Sequence, residues 1–254
     1  EVKTFNGDKS SIDKNGYDHF MIKEINEEPE VIKKTLNSIL ENNEINLDKY
    51  FKKDYKKICI LGCGSAIHAG MIGKYLIEEY ANIEVDVEIA SEFRYKTNFF
   101  DEDTLIIPIS QSGETADTLE ALKLTKIKSC DSLGIINVKE SSIARICDNV
   151  IYTQAGPEIA VATTKAYIAQ VLVLSLIAIY LGRKNNKLTK KDEENLINEL
   201  KSLPININSI INKEVYKEIA NDIYNENDIF FIGRNVDYAL CMEGSLKLKE
   251  ISYI

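Results

Sequence analysis

Short apolar runs alternate with longer helical stretches through the middle of this chain, and this alternation restricts the fold more than any other feature. Five runs have the length and composition of buried strands. They are residues 58–62, 85–90, 104–110, 133–138 and 150–153. Strands that alternate with helices pair in parallel and need cover on both faces. The pattern therefore predicts an α/β fold: a doubly wound parallel sheet of about five strands with helices on both faces.

The spacing of apolar residues also predicts the main helices. They cover residues 19–40, 65–80, a stretch from about 115, 159–181, 189–204 and 214–224. We expect a break or bend at Pro29 in the first helix, and a helix end near Pro204. Residues 183–191 are polar and predict a loop. At its end, Thr189 and Asp192 have the spacing of a capping box that begins the next helix.

The pattern of strand, glycine and helix begins again near the end of the chain. Residues 229–233 resemble 58–62, and a helical stretch again follows. We interpret this as the start of a second copy of the same fold. The chain then divides into a lead-in and N-terminal helix (1–45), a first domain (46–215) and the truncated start of a second domain (216–254). Both ends are expected to lie within a longer polypeptide.

The amino-acid composition argues against several classes of partner and binding site. The formal net charge is −9, which argues against nucleic acid or an anionic membrane surface. Five cysteines without a CxxC pair indicate a reducing compartment rather than a disulfide framework. Two distant histidines do not suggest a metal centre. The longest apolar stretch, 166–181, is interrupted by Gln170 and predicts a buried helix rather than a membrane span.

The segment Ser110-Gln111-Ser112-Gly113-Glu114-Thr115 carries the most functional information. It joins a predicted strand to a predicted helix, where ligands bind in open parallel sheets. A helix N-terminus offers free N–H groups and a positive dipole end, and three hydroxyls are added here. The segment favours a phosphate site, although the same hydroxyls would also serve as helix caps.

Three other segments have weaker signals. The turn Gly62-Cys63-Gly64-Ser65 is glycine-rich, but it is either a ligand turn or only a tight connection. Residues 155–165 place Thr163, Thr164 and Lys165 at the head of an apolar helix, either at a site or as caps. Glu243, Lys247 and Glu250 share one helix face, as a surface ion-pair ladder or as a carboxylate held beside a lysine for proton transfer.

Together these segments resemble the SIS (sugar isomerase) domain family and, more closely, the glucosamine-6-phosphate synthases within it. The matching stretches are Cys-Gly-Ser at 63–65, ASEFRY at 90–95, SQSGETAD at 110–117, AGPEIAVATTKAY at 155–167, EGSLKLKEISYI at 243–254 and the lead-in helix around 18–25. The family commonly has a hydroxyl residue where this chain has Ala66, so one sugar contact is missing or replaced.

The resemblance implies roles for particular residues. The phosphate would be held by Ser110, Gln111, Ser112 and Thr115. The sugar pocket would be lined by Cys63, Gly64 and Ser65, with Val161 and Thr163 at further ligand-facing positions. Glu250 would move a proton between C1 and C2, with Lys247 assisting and Glu243 in support. The family's ring-opening histidine and Schiff-base lysine would lie beyond Ile254, so residues 1–254 alone are expected to be inactive.

The resemblance also implies the setting of the reaction. The substrate would be fructose 6-phosphate and the product glucosamine 6-phosphate, with ammonia from an N-terminal glutaminase domain of the same polypeptide. A homodimer in the cytoplasm and a part in amino-sugar biosynthesis are expected, with no metal or organic cofactor. Two alternatives stay open: another SIS sugar-phosphate isomerase or deglycase, and a sugar-phosphate-sensing regulatory module. Retention of both Lys247 and Glu250 speaks against the sensor.

Overall fold

A parallel five-stranded sheet forms the centre of the fold, which confirms the predicted α/β class. The computed structural model describes residues 13–97, 100–211 and 213–253, so most of the predicted extended lead-in lies outside the described residues. The strands are β1 (Leu40–Glu41), β2 (Glu44–Ile45), β3 (Lys57–Gly62), β4 (Glu84–Ile89), β5 (Thr104–Ser110), β6 (Asp131–Ile136) and β7 (Asn149–Tyr152). The central sheet has the order β4-β3-β5-β6-β7, and β1 and β2 form a separate antiparallel pair.

Helices cover both faces of the sheet. They are α1 (Phe20–Ile39), α2 (Ser65–Ala81), α3 (Ala90–Phe93), α4 (Ala116–Ile127), α5 (Ser142–Ile146), α6 (Lys165–Lys184), α7 (Lys190–Ile211), α8 (Val215–Ile223) and α9 (Val236–Ser252). Alternate residues of β3 belong to different cores: Ile58 and Ile60 pack with α1, α2 and α6, while Cys59 and Leu61 pack with α3, α4 and α5. Burial on both faces explains why the strands read as continuous apolar runs.

The strand order creates a crevice beside β3. The chain moves from β3 outward to β4 and then returns past β3 to β5, so the direction of winding reverses between β3 and β5. In doubly wound sheets, ligands bind at the carboxyl ends of the strands at such a reversal. The turn after β3 and the hydroxyl-rich turn after β5 therefore lie side by side.

Helix α6 is the central helix of the larger core. It has the length and apolar character of a membrane span. However, 83% of its most apolar 18-residue stretch is buried inside the protein, as expected for a core helix. Gly73 of α2 allows the close approach of α6, because a Cβ at this position would lie 2.9 Å from the side chain of Leu174.

The prediction that the long helix begins at residue 159 is wrong, because α6 begins at Lys165. The backbone N–H groups before it are bonded elsewhere. Those of Ile159 and Ala160 donate to the Glu24 carboxylate of α1, at 2.6 and 3.2 Å. Glu158 then accepts the N–H groups of Thr164 and Ala166 and so caps α6. Buried carboxylates therefore decide where this helix begins.

The two interior prolines do not interrupt their helices. The predicted end at Pro204 is wrong, since α7 continues to Ile211, and α1 likewise runs unbroken through Pro29. Proline removes one backbone hydrogen bond, but Leu203 and Ile207 pack against the core on either side of Pro204 and offset that loss. The capping box at the start of α7 is confirmed: Thr189 N donates to Asp192 Oδ2 at 2.8 Å, and Asp192 N donates to Thr189 Oγ1 at 3.2 Å.

The predicted strand at 229–233 is not formed. In the part of the chain that the structure describes, this segment pairs with no strand, and Phe230 and Ile232 are 87% and 88% exposed. An extended segment becomes a strand only when a neighbour satisfies its N–H and C=O groups. Helix α9 follows as expected, and the second copy of the fold stays a prediction.

Candidate functional site

A polar cavity of about 200 Å³ opens at the carboxyl ends of β3 and β5. Among the predicted site residues, those that line it are Cys63, Ser65, Ser110, Gln111, Ser112, Thr115, Thr163 and Glu250. Ala66, Ile109 and Gln170 complete the lining. Residues separated along the chain thus meet in one cavity, which is lined both by the hydroxyl-rich turn 110–115 and by the Glu250 carboxylate.

Four predicted site residues lie outside this lining. Gly64 precedes α2 with a φ of +58°. Val161 lies in the loop before α6, and its residue exposure of 93% shows that the side chain points to solvent. Glu243 and Lys247 stand behind Ser65 and Glu250 and contact them directly. These two groups therefore act on the cavity through their neighbours.

The turn between β5 and α4 is held by its own hydroxyls. Ser110 Oγ accepts the N–H of Gly113 at 2.9 Å and lies 3.2 Å from Thr115 Oγ1. Ser112 Oγ accepts the N–H of Glu114 at 3.1 Å. A hydroxyl has one donor and two acceptor positions, so Ser112 keeps its proton for an oxyanion. Local capping and anion binding are therefore compatible at this turn.

Glycine is required at position 113 for two physical reasons. Its φ of +68° is a left-handed conformation, and a Cβ would lie 1.9 Å from Ser141 Oγ, at the start of α5. Any side chain would therefore displace either Ser141 or the turn. The conformation that presents the hydroxyls of Ser110 and Ser112 therefore depends on the absence of a side chain at position 113.

Hydroxyls and the start of α4, rather than basic side chains, provide the means of binding an anion here. Among the described residues that line the cavity there is no lysine or arginine. Helix α4 begins at Ala116, and its dipole directs positive potential into the turn. This agrees with the acidic composition of the chain, since a phosphate can be bound through N–H groups and hydroxyls alone.

A buried network joins α2 to α9 behind the cavity. Ser65 Oγ donates to Glu243 Oε1 at 2.7 Å, and His68 Nδ1 lies 2.7 Å from Glu243 Oε2. Lys247 Nζ lies 3.5 Å from Glu243 Oε1 and donates to Glu250 Oε2. Side-chain exposure rises along this path, from 8% at Glu243 to 18% at Lys247 and 31% at Glu250. Because the Glu243 side chain is buried, these three residues do not form the surface ion-pair ladder that was one of the two alternatives from the sequence.

Glu243 is held in its charged form. Burial raises the pKa of its carboxyl, but hydrogen bonds from His68 and Ser65 and the charge of Lys247 together lower that pKa below its ordinary value. Along α9, the charged Glu243 therefore lies next to Lys247, which in turn donates to Glu250 at the cavity.

Sequence reasoning missed two residues of this region. His68 lies one turn after Ser65 on the same face of α2, and that spacing is the signal that was available. Gln170 interrupts the apolar stretch of α6, and such an interruption also marks a site. Its Oε1 is buried with no hydrogen-bond partner among the described residues, which is unusual for a buried acceptor.

Two half-buried acids, Glu28 and Glu158, lie close together beside the loop that carries Thr163. Glu28 of α1 is half-buried, and burial together with the Glu158 carboxylate raises the pKa of Glu28 to about 7. Burial likewise raises the pKa of Glu158, against the effect of its hydrogen bonds from Thr164 and Ala166. The protonation of Glu28 therefore changes near neutral pH, close to the Glu158 carboxylate that caps α6.

We expect this acid pair to make stability fall as pH rises. The unfolded chain releases the Glu28 proton near pH 4.5, and the folded protein keeps it up to about pH 7. The contribution of Glu28 to the free energy of unfolding is therefore complete below pH 4.5 and is lost as the pH rises to about 7. Glu28→Gln should stabilise the protein at pH 8 by about 1–3 kcal/mol and have little effect at pH 4.5.

Urea unfolding at a series of pH values measures this effect. Glu30→Gln is the matched control, because the Glu30 side chain on the same helix is 59% exposed. An equal gain in stability at pH 5 and pH 8 would show that the substitution acts through something other than the Glu28 proton.

Comparisons with known proteins agree with the geometry. The SIS domain family model matches residues 53–180, which include β3 through most of α6. The chain belongs to the SIS domain family. The first domain predicted from the sequence, 46–215, contains the matched region of this SIS family member.

Two relatives of this SIS chain have the same name. The glutamine–fructose-6-phosphate aminotransferase (isomerizing) of Caldanaerobacter subterraneus subsp. tengcongensis is 49% identical over 97% of the chain. The enzyme of the same name from Clostridium tetani is 48% identical over 99% of the chain. The chain spans 42% of the length of each of these relatives. The resemblance to glucosamine-6-phosphate synthases is confirmed.

A solved structure has the same fold. It is the C-terminal domain of glucosamine-fructose-6-phosphate aminotransferase from Francisella tularensis, with a TM-score of 0.89 and 39% sequence identity. The match covers 95% of this SIS chain and 70% of that one. Both the central sheet and the helices around it are therefore typical of this group of enzymes.

Proposed function

We propose that this chain is the sugar-phosphate isomerase part of a glutamine–fructose-6-phosphate aminotransferase. Its substrate is fructose 6-phosphate, bound in the cavity with the phosphate at the turn 110–115. The observation that carries the proposal is the cavity itself, which joins that turn to Glu250 in a single space of about 200 Å³. The names of the relatives support the choice of substrate.

The bound sugar lies between the two sides of the cavity. Ser110, Ser112 and Thr115 donate hydroxyl hydrogen bonds to the phosphate, and Gln111 adds its amide. Cys63, Ser65 and Thr163 line the path to Glu250, together with Ala66, which offers no hydroxyl. Gly64 and Val161 contribute at the rim through their loops.

Glu250 carries the proton transfer. In the 2-imine of fructose 6-phosphate, one carboxylate beside C1 and C2 takes a proton from C1 and returns it to C2. The C1 hydroxyl loses its proton and the imine nitrogen gains one, so the ketose imine becomes a 2-amino aldose. Lys247 donates a hydrogen bond to Glu250 and fixes the position of its carboxylate. Glu243 fixes Lys247 from the other side. No step in this part of the reaction requires a metal or an organic cofactor.

The complete enzyme has further parts. In this proposal an N-terminal glutaminase domain of the same polypeptide releases ammonia from glutamine, and the product, glucosamine 6-phosphate, enters amino-sugar synthesis toward UDP-N-acetylglucosamine. The protein works as a cytoplasmic homodimer. Residues 46–215 form the first SIS domain, and 216–254 begin the second. The isomerizing aminotransferases among the relatives favour this function over a deglycase or a sensor.

Removing a phosphate donor tests the location of the substrate. We expect Ser112→Ala to weaken fructose 6-phosphate binding by about 1–3 kcal/mol, because the phosphate loses a hydrogen bond from the turn. Isothermal titration calorimetry of the full-length polypeptide measures this change. Ser209→Ala is the matched control, since the Ser209 hydroxyl is exposed on α7 and bonds only within its helix. Unchanged affinity in the Ser110, Ser112 and Thr115 alanine variants alike would exclude this phosphate site.

A further inference from the structure

His68 occupies a position that packing alone does not explain. It lies on α2, is 8% exposed, and its ring nitrogen Nδ1 faces Oε2 of Glu243 at 2.7 Å. Ser65, one turn earlier on α2, donates to the other oxygen of the same carboxylate at 2.7 Å. Both oxygens of the buried Glu243 therefore have donors on α2, more than 170 residues away in sequence.

Two donors fix the plane of the Glu243 carboxylate. A single hydrogen bond leaves a carboxylate free to rotate, whereas two bonds to donors on one rigid helix do not. A buried carboxylate also needs partners for both oxygens to remain charged. Ser65 and His68 each bond one oxygen of Glu243. Lys247 makes a third, longer contact, with its Nζ 3.5 Å from Oε1.

Lys247 connects the fixed Glu243 carboxylate to Glu250 at the cavity. Its ammonium lies between two carboxylates, at the 3.5 Å contact with Glu243 and in the hydrogen bond to Glu250. If Glu243 lost the His68 bond, its free oxygen would compete for the Lys247 ammonium. Lys247 would then move toward Glu243 and release Glu250, the lining residue that faces the sugar.

We propose that His68 is a positioning residue that acts through Glu243 and Lys247 to hold the Glu250 carboxylate against the sugar. The inference rests on the proposed function, because it assigns His68 a part in the proton transfer of Glu250. His68 itself does not line the cavity, so it touches no substrate. The imidazole with its proton on Nδ1 donates the bond to Glu243, and the other ring nitrogen is not needed for this role.

Two amide substitutions separate this role from packing. The amide nitrogen of Asn reaches the place of histidine Nδ1, while that of Gln reaches the place of Nε2. We expect His68→Asn to keep most of the activity and His68→Gln to lower kcat by about 10–100-fold, the cost of about 1 Å of misplacement in a reacting group. KM for fructose 6-phosphate should stay within about threefold of wild type, because the phosphate turn is untouched.

Turnover of the full-length enzyme and exchange of the C1 proton with solvent deuterium measure both variants. His68→Leu removes every donor and should resemble the Gln variant. In a Glu243→Gln background, His68→Gln should have little further effect, since both changes break one path. Thermal unfolding of each variant reports whether the fold is kept.

The outcomes separate this inference from the proposed function. If Glu250→Gln turns over like wild type, the proposed function itself fails. If Glu250→Gln is impaired but His68→Gln and His68→Leu are not, the positioning role is overturned. Equal loss in the Asn and Gln variants also overturns it, because the role would then be one of ring shape rather than of a donor at Nδ1.

Discussion

Glu250→Gln is expected to lower isomerisation in the full-length enzyme by about 10²–10⁴-fold, the usual contribution of a general base. Glutamine keeps the shape of the side chain and can still accept the hydrogen bond from Lys247. Its amide cannot take a proton from C1 of the sugar. Binding of fructose 6-phosphate should be nearly intact, because the proposed phosphate contacts are made by the turn 110–115 and not by Glu250.

Exchange of the C1 proton with solvent deuterium, followed alongside product formation, measures this prediction. Glutamine hydrolysis in the same enzyme should continue, since the proposal assigns it to another domain. Glu218→Gln on α8 is the matched control, because Glu218 is exposed and lies outside the cavity lining. If Glu250→Gln exchanges and turns over like wild type, Glu250 is only a member of an ion-pair ladder.

Gly113→Ala is expected to have the largest effect on the phosphate turn. The new Cβ would lie 1.9 Å from Ser141 Oγ and 2.5 Å from Ser141 Cβ, at a φ of +68° that alanine disfavours. We expect a loss of about 2–4 kcal/mol in the free energy of unfolding, from strain and overpacking together. Fructose 6-phosphate binding should weaken at least as much as in Ser112→Ala, because the whole turn moves.

Gly156→Ala separates the two causes. Gly156 has the same φ of +68°, but no heavy atom lies within 4 Å of the position that its Cβ would take, so only the backbone cost of about 1–2 kcal/mol applies. Adding Ser141→Gly to Gly113→Ala should recover much of the loss, since it removes the two nearest atoms that the new Cβ meets and leaves Ile136 Cγ2, at 3.1 Å, as the nearest. Urea unfolding and calorimetric titration measure the series. Equal effects at Gly113 and Gly156 would mean that the contact with Ser141 is unimportant.

Local residue patterns were sufficient for the sheet and for the turn after β5. The strands β3, β5 and β6 are apolar runs buried on both faces, and the glycine and hydroxyl residues after them mark the turns. The capping box of Thr189 and Asp192 was equally visible, because both partners lie within one helical turn. In each case the signal that predicts the element, an apolar run, a turn residue or a cap, lies within a short stretch of sequence.

Helix ends and strand pairing depended on distant residues. The start of α6 was misplaced because Glu24, more than 130 residues earlier, accepts the N–H groups of Ile159 and Ala160. Pro204 did not end α7, because core contacts of Leu203 and Ile207 compensate for the lost hydrogen bond. No local pattern shows whether a carboxylate or a packed neighbour will be available.

The sequence by itself determined the α/β class, the order of strand and helix, and the hydroxyl turn at 110–115, because periodicity and turn chemistry are local properties. Only the tertiary structure decided that Glu243 is buried, that Ser65 and His68 bind both its oxygens, and that Glu250 shares a cavity with that turn. A helix face with Glu243, Lys247 and Glu250 looks the same in sequence whether solvent or α2 lies against it. Burial changes the strength of these charge interactions, and burial is set by the packing of α9 against α2.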